Sequence, residues 1–187
     1  MGFDVYGISP KENTPKPEIL SKRVWEIKDK DEKDAWFKAD DKWEEENPGV
    51  YFRNNVWWWR PLWDYVTEVC EDVMSDADIR AGHSNSGVEI SAEKVDEMLS
   101  KLVPDLAFEN HIKYEKEYQA KLDAMPLIKC DLCNGTGIRD DAHVKGECNG
   151  CQGKGERKSW DTHYPFSHKN VESFVNFLSE SGGITIS

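Results

Sequence analysis

Four of the five cysteines stand in two copies of one eight-residue pattern, Cys130-Asp131-Leu132-Cys133-Asn134-Gly135-Thr136-Gly137 and Cys148-Asn149-Gly150-Cys151-Gln152-Gly153-Lys154-Gly155. Two thiolates separated by two residues reach one ion from a single tight turn. Two such turns complete the tetrahedral four-sulfur shell that Zn²⁺ takes at about 2.3 Å. The glycines that follow let the chain curl back with φ > 0 and bring backbone N–H groups near the sulfurs. The pattern therefore predicts one structural zinc, held by Cys130, Cys133, Cys148 and Cys151. A shell filled by protein leaves no metal-bound water, so no hydrolysis is expected there. Unligated thiols are the bland alternative, and two full copies weigh against it. His143 and His163 lie close by, but four thiolates leave them without a role.

Both copies match the repeat Cys-x-x-Cys-x-Gly-x-Gly at every fixed position, and residues 130–155 thereby resemble the cysteine-rich region of DnaJ-type (Hsp40) chaperones. That region carries four repeats and two zinc ions, so two repeats imply one ion. The family's J-domain depends on a His-Pro-Asp tripeptide, which this sequence lacks, and a complete Hsp40 co-chaperone is excluded. The resemblance implies a part in handling nonnative proteins, as a small chaperone or assembly factor. Weak redox activity has been ascribed to such fingers, which makes thiol-disulfide exchange the enzymatic alternative. Against it, a redox pair wants one cysteine at a helix N-terminus, where the dipole lowers its pKa. Here Asn-Gly and Gln-Gly follow the second cysteine and favour turns.

The remaining candidates for chemistry are weaker. Cys70 falls in an amphipathic helical pattern and reads as a small buried apolar residue rather than a nucleophile. His83 and Ser84 are neighbours in a polar stretch, with no acid obviously aimed at them. Trp57, Trp58 and Trp59 read as core packing before they read as a stacking or protein-binding surface. The carboxylates are interleaved with lysines and form a solvated face. No catalytic constellation emerges, and the protein is expected not to be an enzyme.

Charge limits the partners. A formal net charge of −12 opposes nonspecific nucleic-acid binding, which draws on lysine and arginine. From Lys129 to Lys158 there are six basic and five acidic residues. Four thiolates around Zn²⁺ add a formal charge of about −2, leaving no basic patch of the kind nucleic-acid-binding fingers carry. A protein partner is thus the leading reading, with a nucleic-acid-binding regulator as the alternative. No run of about 18 apolar residues exists and no basic-then-apolar leader opens the chain, so no membrane role and a cytoplasmic location are expected. Paired free cysteines agree with a reducing compartment.

The elements that position these residues are expected to be mainly α with minor β. Residues 3–6 alternate apolar and polar and predict a short strand. Residues 10–49 are dense in mixed charge and read as an acidic insertion, with Trp25, Ile27, Trp36, Phe37 and Trp43 spaced too loosely for one amphipathic helix. Pro61 suits the first turn of a helix carrying Leu62, Tyr65, Val66 and Val69. Ser91 caps a helix over about 92–103, which Pro104 ends while opening the next. Asn170 caps a last helix that stops at Gly182-Gly183, before a short Ile184-Thr185-Ile186 tail. The expected organisation is a helical body, residues 1–125 and 159–187, into which a finger module, residues 126–158, is inserted. The Gly2-Phe3-Asp4-Val5-Tyr6-Gly7 opening and the Tyr51-to-Leu62 block also resemble a group of small bacteriophage and prophage proteins in which the two blocks lie nearer together. That implies a phage-type protein but no activity.

Overall fold

Alternation of Phe3 and Val5 with Asp4 and Tyr6 gives the first strand a buried and an open side, and the rest of the sheet is built on it. The computed structural model describes residues 2–84 and 86–187. In chain order its elements are β1 (Gly2–Gly7), α1 (Lys30–Glu46), β2 (Tyr51–Asn55), α2 (Val56–Val69), α3 (Asp76–Ala81), β3 (Val88–Ile90), α4 (Ala92–Ala107) and α5 (Asn110–Asp123). They continue with β4 (Ile128–Lys129), β5 (Ile138–Asp140), β6 (Lys145–Glu147), β7 (Glu156–Arg157), α6 (His168–Ser181) and β8 (Ile184–Ile186). About half the residues are helical, which agrees at the coarse level with a mainly α chain.

The chain divides into two compact units, Met1–Ile112 with Ser167–Ser187, and Lys113–Phe166. In the first, four strands form an antiparallel sheet in the order β2-β1-β8-β3. The Ile184-to-Ile186 tail is thus a central strand, pairing Val5 with Ile186 on one side and Ile90 with Ile184 on the other. Phe3, Val5, Ile184, Ile186 and Ile90 face a core completed by Trp59, Trp63 and Val66 of α2, Met98 and Leu102 of α4, and Phe174 and Leu178 of α6. Phe3, Trp59 and Trp63 stack in series at 5.1 and 5.4 Å, with Phe174 edge-on to Trp59. Both buried indoles find acceptors, Trp59 Nε1 donating to Gly82 O and Trp63 Nε1 to Ile79 O.

Several boundaries differ from expectation, each for a local reason. Asn55, not Pro61, opens α2, its side chain accepting from the N–H groups of Trp57 and Trp58, so that Pro61 lies inside the helix. Pro104 likewise lies inside α4, which runs on to Ala107 and ends at Phe108 and Glu109, where φ is 56°. One missing N–H near a helix end is tolerated when the packed face holds the helix together. Ser167 caps α6 by accepting from the Asn170 N–H, while the Asn170 side chain joins Asn54 and Trp58 O.

Residues 10–49 carry a 17-residue helix, α1, capped by Asp29. Only Trp43 of its aromatics is buried, Nε1 donating to Thr14 O, and Trp25 and Phe37 are exposed. Asn47, fully buried, accepts from the N–H groups of Asn13 and Thr14 and donates to Trp43 O and Thr14 Oγ1. Its amide is thereby fully satisfied.

In the second unit the later part of α5 presents Tyr114, Tyr118 and Leu122. Phe166 meets Tyr114 at 4.8 Å, and Tyr118 Oη donates to Tyr164 O. Between these flanks β4 pairs with β7, and β5 with β6.

Candidate metal centre

The two knuckles are copies of one another at an offset of 18 residues. Each first-cysteine N–H donates across to the other copy, Cys130 N to Gly155 O and Cys148 N to Gly137 O, both at 2.8 Å. Each first-cysteine carbonyl then accepts from the glycine five residues on, Cys130 O from Gly135 N and Cys148 O from Gly153 N. Two more amides point at sulfur, Gly137 N to Cys133 Sγ at 3.3 Å and Gly155 N to Cys151 Sγ at 3.2 Å. The last glycine of each copy has φ near 75°. A Cβ on Gly137 would lie 2.2 Å from Gly153 O, and one on Gly155 2.4 Å from Gly135 O, so the close crossing admits no side chain.

These turns bring the four sulfurs together. Cys130 and Cys148 Sγ are 3.9 Å apart, Cys133 and Cys151 Sγ 3.7 Å, and all four lie within 4.8 Å of one another. A tetrahedron of sulfurs about 2.3 Å from its centre has edges of about 3.8 Å, whereas a disulfide holds its sulfurs at about 2.05 Å. The spacing fits four ligands of one ion and not two disulfides. All four side chains are buried. Among the described residues they are the one set of three or more Cys, His, Asp or Glu placed to hold a metal.

The electrostatics fit the same use. Burial opposes ionisation of Cys133, but the Gly137 N–H, the Cys151 and Cys130 thiols and the Gly135 N–H outweigh it and bring the thiol down to about 6. Cys151 is pushed up to about 11, by burial first and also by the other three sulfurs, against the pull of the Gly155 N–H. Cys133 and Cys151 hold equivalent positions with their sulfurs 3.7 Å apart, so the first of the two to ionise raises the other. Four thiolates this close need a cation among them.

Two arginines that sequence reasoning passed over complete the finger. Arg157 donates to Asp131 and Arg139 to Asn149, again at the 18-residue offset. The guanidinium of Arg157 holds the Asp131 carboxyl below the usual carboxylate range. The signal lay in the repeat itself, since each arginine stands nine residues after the first cysteine of its copy.

The other candidates separate. His143 and His163 contribute nothing to the cysteine set; the His143 N–H caps onto Asp141, and His163 packs by Trp160 at 5.2 Å. Cys70 is buried, and burial pushes its thiol up to about 12, far from nucleophilic character. An acid does stand by His83, with Asp64 Oδ1 3.7 Å from Nε2. Both side chains are substantially exposed and the Ser84 hydroxyl pairs with Ser86, so no activated serine results. The tryptophan run divides, Trp59 entering the core while Trp57 and Trp58 remain partly exposed.

No protein-family model, curated protein or solved structure matches this chain. Its four cysteines, buried on two paired turns, are placed so that they could hold one metal ion. Among the described residues no helix is long and apolar enough to cross a membrane.

Proposed function

We propose that the protein binds one structural zinc ion through Cys130, Cys133, Cys148 and Cys151 and acts as a protein-interaction module, chaperone-like in the manner its DnaJ-type repeats imply. The observation that carries the metal reading is the convergence of four buried sulfurs at tetrahedral spacing. The interaction reading rests on what surrounds them. Leu132 and Ile138 beside the first knuckle, with Leu127 and Trp160 flanking the finger, are all more than half exposed. Exposed apolar side chains of this size are the surface that a protein partner would cover. Neither cysteine pair opens a helix, which leaves a redox role without the dipole it needs. A phage-type origin belongs to the same proposal through the two sequence blocks.

Elemental analysis of the purified protein should give one zinc per chain, lost in Cys130→Ser and in Cys151→Ser. No metal, with the four thiols oxidising readily in pairs, would bring the redox reading forward. The interaction reading predicts suppression of aggregation of an unfolding client, or a specific protein captured by the zinc-loaded form and not by Cys130→Ser. It is abandoned if neither is seen. The nucleic-acid reading is opposed by the −12 charge and predicts a salt-dependent shift of short oligonucleotides; a flat titration at low salt ends it.

A further inference from the structure

Each finger arginine reaches across to the residue that follows the first cysteine of the other copy. Arg139 Nη1 donates to Asn149 Oδ1 at 2.9 Å, and Arg157 Nε and Nη2 lie 3.1 and 3.0 Å from Asp131 Oδ1. Their side chains are 14% and 12% exposed, low for arginine at the surface of so small a module. The repeat fixes only cysteines and glycines, so nothing in the knuckle turns themselves requires these contacts. A guanidinium bound to the residue next to a ligand holds that knuckle's backbone in place. It also sets a cation near four thiolates that carry a formal charge of about −2 once they hold a divalent ion.

The two ends of the finger are not alike. At one, β5 and β6 are joined by the intervening turn, where Asp141 Oδ1 accepts from the N–H groups of His143 and Val144. At the other, β4 and β7 share two residue pairs and the chain both enters and leaves. Opening that separates Cys130 from Cys148 has to start at this second end, where no covalent turn ties the strands. There the cross-contact is ionic, and Arg157 is further held with its guanidinium 4.5 Å from the centre of the Trp160 ring. At the tied end the cross-partner is the neutral amide of Asn149.

We infer that Arg157 is a positioning residue for the four-cysteine centre: clasped to Asp131, it keeps the two knuckles in register and sets how fast the metal leaves, with Arg139 the lesser counterpart at the tied end. This rests on the zinc reading above. The full chain loaded with zinc is mixed with excess pyridylazoresorcinol, and the first-order transfer of zinc to the dye is followed. Arg157→Gln and Asp131→Asn should each speed transfer about tenfold, the scale on which groups behind a metal's ligands act. The double variant should be no faster than either. The exchange Asp131→Arg with Arg157→Asp should return the rate toward that of the natural protein, and Asn149→Asp, which gives Arg139 an ionic partner on the other copy beside the Asp141 it already pairs with, should slow it. Thiolate-to-metal absorption of the cobalt-loaded forms checks that each variant keeps all four sulfur ligands. Should Arg157→Gln fail to load, Asp131→Asn and Asn149→Asp decide the matter by the same rates. A natural protein that takes up no metal overturns the zinc reading and this inference together. One that loads fully, while Asp131→Asn and Asn149→Asp both transfer zinc at its rate, overturns the clasp alone.

Discussion

Glu44, in the last turn of α1, has its carboxyl pushed up to about 7, by burial first and then by Asp40 and Asp41, with Lys16 acting the other way. An unfolded glutamate titrates near 4.5. Between these values the unfolded chain releases a proton that the folded chain keeps, so this group's contribution to stability falls as pH rises from about 4.5 through 7. Glu44→Gln should therefore raise the melting temperature at pH 8 and leave it nearly unchanged at pH 4, and equal effects at both would count against the burial cause. Asn47 presents the opposite case, a buried polar group with each of its bonds made. Asn47→Leu leaves the N–H groups of Asn13 and Thr14 unpaired and should cost about 1–3 kcal/mol in denaturant unfolding. Neither residue stands out in the sequence, where both sit among charged neighbours. The cysteines do stand out, because two thiols that could reach one ion from a single tight turn must lie two residues apart along the chain. Arg139, Arg157, Asp131 and Asn149 become visible only once the two copies are set at their offset.

Among the elements, α2 and its surroundings carry the tightest fit. A Cβ on Gly82 would lie 1.9 Å from the Trp63 ring, whose own nitrogen is tied to Ile79 O. Gly82→Ala must push that ring or the α3 end aside and should destabilise by about 1–3 kcal/mol, read from thermal unfolding. A loss within 0.5 kcal/mol would mean that the indole has room to move. Asn55→Ala removes the α2 cap and should cost about 1 kcal/mol by the same measurement. Such positions explain which elements the sequence disclosed. The α4 and α6 faces were readable because Val95, Met98 and Leu102, and Val171, Phe174, Val175 and Leu178, recur at helical spacing and all turn inward. Helix α1 was not, since Trp43 alone among its aromatics is buried and its Asp29 cap sits in a run of mixed charge. Strand β8 was hidden by its length of three residues, too short to show a period. The prolines misled because each marks a position inside a helix that tertiary packing completes.

At the scale of the whole chain, two units each carry their own contacts, one around a sheet and three buried helical faces, the other around four sulfurs. Metal removal should act on them unequally. After chelation, amide exchange across 128–158 should rise steeply, while the amides that pair β1 with β8 exchange as before. Unchanged exchange in 128–158 would show that the sulfurs hold no structural ion. Deleting residues 184–187 should do the reverse, removing the strand between β1 and β3 and with it the Asp4–Ser187 backbone pair. The cooperative melt of the sheet should vanish while zinc is retained. The placement of β8 also orders events on a growing polypeptide. Strand β8 is made after β1, β2, β3 and the whole finger, so the sheet lacks that strand until the finger has been made. The finger has every ligand by Cys151 and its last strand by Arg157. On the zinc proposal, metal capture can therefore precede completion of the sheet, and a chain made without zinc would carry an unfolded finger beside a sheet that still forms.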